Sequence, residues 1–143
     1  MPISVTNVDA DTVLVVEDDD FIRDLVRRVL VDLGYHVISA PNGERALDEA
    51  VAHAGPVRLV VSDINMPEMG GWNLLERVRG WYPGLRFLLI SGEAPSPETM
   101  AEFKETPTAF LGKPFTPSQL ASAIKDLFEQ PARANTASGS RGQ

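Results

Sequence analysis

The sequence predicts an α/β domain: a five-stranded parallel sheet, doubly wound, with helices on both faces. Three observations carry that prediction. Short apolar runs recur five times, segments of helical period separate them, and helix start and stop signals stand at the junctions. The resulting order βαβαβαβαβα calls for right-handed crossovers.

The apolar runs Val13–Val16 (β1), Leu59–Val61 (β3), Phe87–Ile90 (β4) and Ala109–Leu111 (β5) are short and nearly all apolar. That texture suits strands buried on both faces of a parallel sheet. After β1, residues Phe21, Ile22, Leu25, Val26, Val29, Leu30 and Leu33 form one apolar stripe, α1 (21–33), and Gly34 is its stop. His36–Ala40 is β2. Asn42 then caps α2, which runs through His53 and ends at Gly55-Pro56. Beyond β3, Trp72, Leu75 and Val78 mark α3 (72–78), closed by Gly80 and Pro83. Ser96 and Pro97 supply a cap and a first-turn proline for a short α4 starting at residue 97. Thr116-Pro117-Ser118-Gln119 is a capping box opening α5, whose apolar positions are Leu120, Ile124, Leu127 and Phe128.

At 143 residues the chain is long enough for one domain, and its 43% hydrophobic and 23% charged residues are globular composition. The absence of cysteine excludes a disulfide scaffold, a thiolate metal site and a cysteine nucleophile. Thirteen basic against twenty acidic residues, a net charge of −7, speak against nucleic-acid binding. No apolar run approaches the roughly 20 residues of a membrane span, and no signal peptide precedes β1, so a cytoplasmic, soluble chain is expected. Residues 1–10 read as a flexible lead-in. Residues 131–143 are small and polar and are expected to be disordered. The folded unit is then 11–130, and residues 1–130 carry a net charge of −9.

Function is sought at the strand ends, because open α/β sheets bind ligands at their carboxyl rim. Glu17 and Asp18 follow β1, Asp63 follows β3, Ser91 follows β4 and Lys113 stands just past β5. Three carboxylates, a hydroxyl and an ammonium thus fall on one rim. Clustered carboxylates repel unless a cation intervenes, and three acidic oxygens with an open position suit Mg²⁺. A carboxylate can also act as a nucleophile toward phosphorus. Lys113, Ser91 and the metal would together balance phosphoryl oxygens. The set reads as Mg²⁺-dependent phosphoryl transfer to Asp63.

VLVVEDDDFIRDLV, VVSDINMPEMGGWNLL, LLISGEA and FLGKPF, in this order and spacing, resemble the landmark segments of the response-regulator receiver domain of two-component signalling, including chemotaxis regulators. The resemblance covers about residues 11–130. It implies a flavodoxin-like (βα)5 fold with strand order 2-1-3-4-5. It further implies that Asp63 accepts a phosphoryl group from a histidine kinase or a histidine phosphotransfer protein, and that the chain catalyses only its own phosphorylation and dephosphorylation. Asp18 matches the direct Mg²⁺ ligand, Glu17 the acid that reaches the metal through water, and Asn65 the residue whose backbone carbonyl binds it. Ser91 matches the switch hydroxyl, Phe110 the switch aromatic and Lys113 the lysine on the phosphoryl group. Lys113–Pro114 matches a peptide bond usually cis in the family. Asn65 and Glu93 match the positions flanking the water path to an acyl phosphate. They are small and polar enough to admit water, so turnover is expected.

Three departures stand out. The acidic run continues through Asp19 and Asp20, which read as the start of α1, where negative charge is favourable. Gly70 replaces a common aspartate, and Phe110 lacks the hydroxyl of the usual tyrosine. Other residues have plain explanations: His36 and His53 without a partner at metal spacing, Trp72, Trp81 and Tyr82 as packing, Met66 and Met69 as loop geometry. A haloacid-dehalogenase-like phosphatase would need a second carboxylate at position 65 and a late acidic pair. A nucleotide-binding module would need a glycine-rich phosphate loop, and none is present. A receiver acting only as a scaffold is the remaining alternative, against which all five site positions keep competent chemistry. The resemblance implies a downstream partner on the α4-β5-α5 face and a monomer or weak homodimer. It leaves the cognate kinase and output open, and fits a stand-alone receiver or one belonging to a hybrid kinase or a larger regulator.

Overall fold

Five parallel strands form a single sheet in the order β2-β1-β3-β4-β5, the order that the family resemblance implies. The computed structural model describes residues 11–53, 57–64, 76–78, 84–103 and 106–129. The strands are β1 Thr12–Val16, β2 His36–Ala40, β3 Val57–Asp63, β4 Arg86–Ser91 and β5 Thr108–Gly112. The helices are α1 Asp20–Asp32, α2 Gly43–Ala52, α4 Pro97–Glu102 and α5 Pro117–Glu129. Within α3 the described residues 76–78 are helical, and Val78 is fully buried. The lead-in 1–10, the tail 131–143, Gly55-Pro56, Trp72, Leu75, Gly80, Pro83, Met66, Met69, Gly70, Trp81 and Tyr82 lie outside the described residues.

The sheet separates two cores. On one side Leu14, Val16, Val60, Phe87 and Leu89 pack with Ala46 and Ala50 of α2, Val78, and Phe103 beyond α4. On the other, Val13, Val15, Leu59, Val61, Leu88 and Ile90 meet Val26 and Leu30 of α1 and Leu120, Ile124 and Leu127 of α5. Odd and even residues of β1, β3 and β4 thus both find an apolar partner, which is why these strands read as unbroken apolar runs. The same expectation fails for β5. Its residues Thr108–Leu111 are only half-buried, because β5 is an edge strand.

Four strands outrun their apolar runs at one or both ends, since backbone pairing continues where polar side chains begin. In β3, Val57 is buried but exposed Arg58 interrupts the apolar pattern, so the strand starts two residues early. Asp63 and Ser91 are themselves the last residues of their strands.

Local signals hold the helix ends. Asp19 caps α1 by accepting from the Ile22 N–H at 3.1 Å, and Asp20 opens the helix, as the acidic run suggests. At its other end Gly34 adopts φ +100°, its N–H donating to the Val31 carbonyl while that of Tyr35 reaches Leu30. Asn42 accepts from the Arg45 N–H at 2.8 Å, and Thr116 and Gln119 exchange both bonds of the capping box at 2.9 and 3.0 Å. The two histidines meet after all: His36 at the start of β2 and His53 at the end of α2 stack with ring centroids 5.5 Å apart. Tyr35 stacks on Phe128 at 5.6 Å, and Arg86 lies over the same Phe128 ring while donating to the Leu127 carbonyl, which pins the last turn of α5.

Candidate functional site

The registers of neighbouring strands bring their ends into step at one rim. Val16 pairs with Ser62, Asp63 with Ile90, and Ser91 with Gly112. The ladder runs one step further, the Ile64 N–H donating to the Ile90 carbonyl and the Lys113 N–H to the Ser91 carbonyl at 2.8 Å. Glu17, one residue past Val16, donates its own N–H to the Ala40 carbonyl of β2. Residues far apart in sequence are thereby fixed within one rung of each other.

The side chains converge. Carboxylate oxygens of Glu17, Asp18 and Asp63 all lie within 4.8 Å of one another, Glu17 and Asp63 buried and Asp18 exposed. Lys113 reaches into the group from the β5 side. Its Nζ donates to Asp63 Oδ2 at 2.9 Å and to Glu17 Oε2 at 3.4 Å, and stands 3.2 Å from Glu17 Oε1. One ammonium therefore serves two buried carboxylates. Glu17 Oε1 is buried without a hydrogen-bond partner despite that proximity.

Burial acts first on both charges. It pushes the Glu17 carboxyl from its ordinary 4.5 up to about 7, against the Asp19 N–H and Lys113, which favour its charged form. Burial also disfavours the Lys113 ammonium. The hydrogen bond to Asp63 and the charges of Glu17 and Asp63 outweigh it and hold Lys113 above its ordinary value.

The donor set fits a hard divalent cation. All three side chains offer oxygen, one buried oxygen lacks a partner, and exposed Asp18 leaves the outer side open to water or a ligand. Among the described residues this is the only group of three or more such side chains placed to hold a metal.

Ser91 is buried at the end of β4, and its Oγ accepts from the Glu93 N–H at 3.2 Å. Glu93 itself is exposed. Phe110 is half-buried against the α2-side core. The Lys113–Pro114 peptide bond is cis. Asn65 lies outside the described residues. The structure thus gathers Glu17, Asp18, Asp63 and Lys113 directly and sets Ser91 and Glu93 at the adjacent strand end.

Sequence reasoning assigned no role to Arg23. Its Nη1 donates to the Glu17 carbonyl at 2.9 Å and its Nη2 pairs with Asp20 Oδ1 at 2.6 Å. The six-residue offset is not a helical neighbour spacing, so no periodicity could reveal it.

A family model described as the response regulator receiver domain matches residues 13–125. The sensor kinase CckA of Brucella abortus is 39% identical over 119 residues, 83% of this chain but 13% of that protein. A chemotaxis protein CheY homolog of Campylobacter jejuni is 30% identical over 117 residues, 80% of this chain and 89% of that one. The solved structure of chemotaxis protein CheY4 of Vibrio cholerae superposes with a TM-score of 0.74 at 34% identity, covering 82% of this chain and 98% of that one. The receiver domain of the hybrid histidine kinase CckA gives 0.69 at 35% identity, with 82% and 99% covered. The chain therefore spans a small part of some relatives and nearly the whole of others.

The raised Glu17 value has a consequence for stability. The folded state holds a proton on Glu17 more tightly than the unfolded chain, so stability present below pH 4.5 is lost as pH rises through about 7. In EDTA, the native chain should lose up to about 3 kcal/mol relative to Glu17→Gln between pH 5 and 8, read by urea unfolding. A native-to-variant difference that stays constant over that range would contradict the assignment.

Proposed function

The chain belongs to the response regulator receiver domain family, and from that premise we propose that Asp63 is the phosphoacceptor of a two-component phosphorelay. The observation that carries the reading is Asp63 itself: a buried carboxylate at a strand end, held at 2.9 Å by Lys113 inside a three-carboxylate cluster. Glu17, Asp18 and Asp63 would hold Mg²⁺, with the Asn65 backbone carbonyl as a further ligand. When bound, the ion would offset the charge of an incoming phosphoryl group and of the cluster.

A phosphohistidine on a histidine kinase or a histidine phosphotransfer protein is the donor. An Asp63 oxygen bonds phosphorus as the phosphorus–nitrogen bond breaks, and the leaving imidazole keeps the electron pair and takes up a proton. Lys113, already on Asp63, is in place to balance a phosphoryl oxygen. By the family resemblance, Asn65 and Glu93, the latter exposed, would tune the access of the water that hydrolyses the acyl phosphate. The chain acts on itself and turns over no separate substrate.

Ser91 supplies the switch. Drawn to the phosphoryl oxygens, its hydroxyl leaves the Glu93 N–H and Phe110 fills the space behind it. The α4-β5-α5 face then shifts between two populations and selects a downstream protein. The chain works in the cytoplasm as a monomer or weak homodimer.

Incubation with acetyl phosphate and Mg²⁺, followed by intact-mass measurement, tests the acceptor. One phosphoryl group should appear on the native chain, vanish with EDTA and be absent from Asp63→Asn. An adduct on Asp63→Asn at the native level would place the acceptor elsewhere. For the switch, Ser91→Ala should still take phosphate while the amide resonances around Phe110 respond much less than in the native chain. An equal response would refute the coupling.

A further inference from the structure

We infer that Arg23 is a positioning residue for the metal pocket, clamping the Glu17 peptide so that the Glu17 and Asp18 carboxylates face Asp63. The inference rests on the reading that this pocket holds Mg²⁺ and names a residue that no part of that reading assigns.

The Glu17–Asp20 segment joins the end of β1 to the start of α1, and its backbone decides where two carboxylates point. Glu17 is held on both sides. Its N–H donates to the Ala40 carbonyl at 3.1 Å, and its carbonyl accepts from Arg23 Nη1 at 2.9 Å. The latter carbonyl belongs to the Glu17–Asp18 peptide, so this one bond fixes the plane from which Asp18 departs. The second arm of the guanidinium pairs with Asp20. Asp20 is 89% exposed, so that pair contributes little by itself, and the single bond to the Glu17 carbonyl is the anchor. Arg23 is 22% exposed and sits on the first turn of α1, which Asp19 caps. The helix thus carries a rigid donor back onto the loop that precedes it.

The sign of the effect separates positioning from charge. A guanidinium near a cation site repels the cation, so charge alone predicts that removing Arg23 tightens Mg²⁺ binding. Positioning predicts the reverse, since partners that orient metal ligands are worth about 10- to 100-fold in metal affinity. A purely structural role would lower the unfolding midpoint in EDTA and leave Mg²⁺ affinity unmoved.

Calorimetric titration of the whole chain with MgCl₂ decides, alongside thermal unfolding in EDTA. Arg23→Ala should weaken Mg²⁺ binding about tenfold. Arg23→Lys, which keeps the charge but cannot span both acceptors, should weaken it by a smaller factor, and it stands in if the alanine variant does not fold. Unchanged or tighter binding in both variants overturns the inference while leaving the phosphoacceptor reading intact. No Mg²⁺ binding by the native chain overturns both.

Discussion

Three carboxylates gathered within 4.8 Å against one ammonium set the conditions under which this rim of the sheet exists. Two buried like charges at that range repel by about 3–4 kcal/mol even at an effective dielectric near 20. The protein answers with Lys113 between Glu17 and Asp63, and with a Glu17 carboxyl that burial pushes up to about 7. Neither removes the excess, because the Asp18 carboxylate stands exposed at the open side and Glu17 Oε1 keeps no hydrogen bond. A cluster that holds more carboxylates than ammonium groups in the resting state is suited to receive a divalent cation and then an anionic group.

The sheet makes this cluster unavoidable. Registers that match Val16 to Ser62 and Ser91 to Gly112 bring strand ends together whose residues are separated by up to 96 positions. Apolar packing on both faces leaves these strands little freedom to slip, since a one-residue shift would move every side chain from one core into the other, where it does not match the packing. The energy that holds the carboxylates together therefore comes from Val, Leu and Ile side chains below them. Stability in the cores supports electrostatic strain at the rim.

Much of this was legible in the residues. Apolar runs predict β1, β3 and β4 because those strands are covered on both faces, and the capping groups Asn42 and Thr116-Gln119 behave as their chemistry dictates. The rim residues could be picked out because each directly follows, or nearly follows, an apolar run. What escaped depends on tertiary placement. The half-buried state of β5 follows from strand order, which β5's apolar residues do not encode. The His36–His53 stack joins a strand start to a helix end that only the fold brings together. Arg23 on the Glu17 carbonyl is a side-chain-to-backbone bond with no pattern in residue type.

The central claim is that the carboxylate excess is what a divalent ion relieves, and Asp18 is its most telling member, being exposed and outside the Lys113 bonds. Thermal unfolding of the native chain and of Asp18→Ala, each in EDTA and in saturating Mg²⁺, addresses it directly. At about 100 times the dissociation constant the native chain should gain about 2.7 kcal/mol, a rise of several degrees in midpoint. Asp18→Ala should gain less than half of that. An equal gain in both proteins would show that the ion binds elsewhere and would contradict the account.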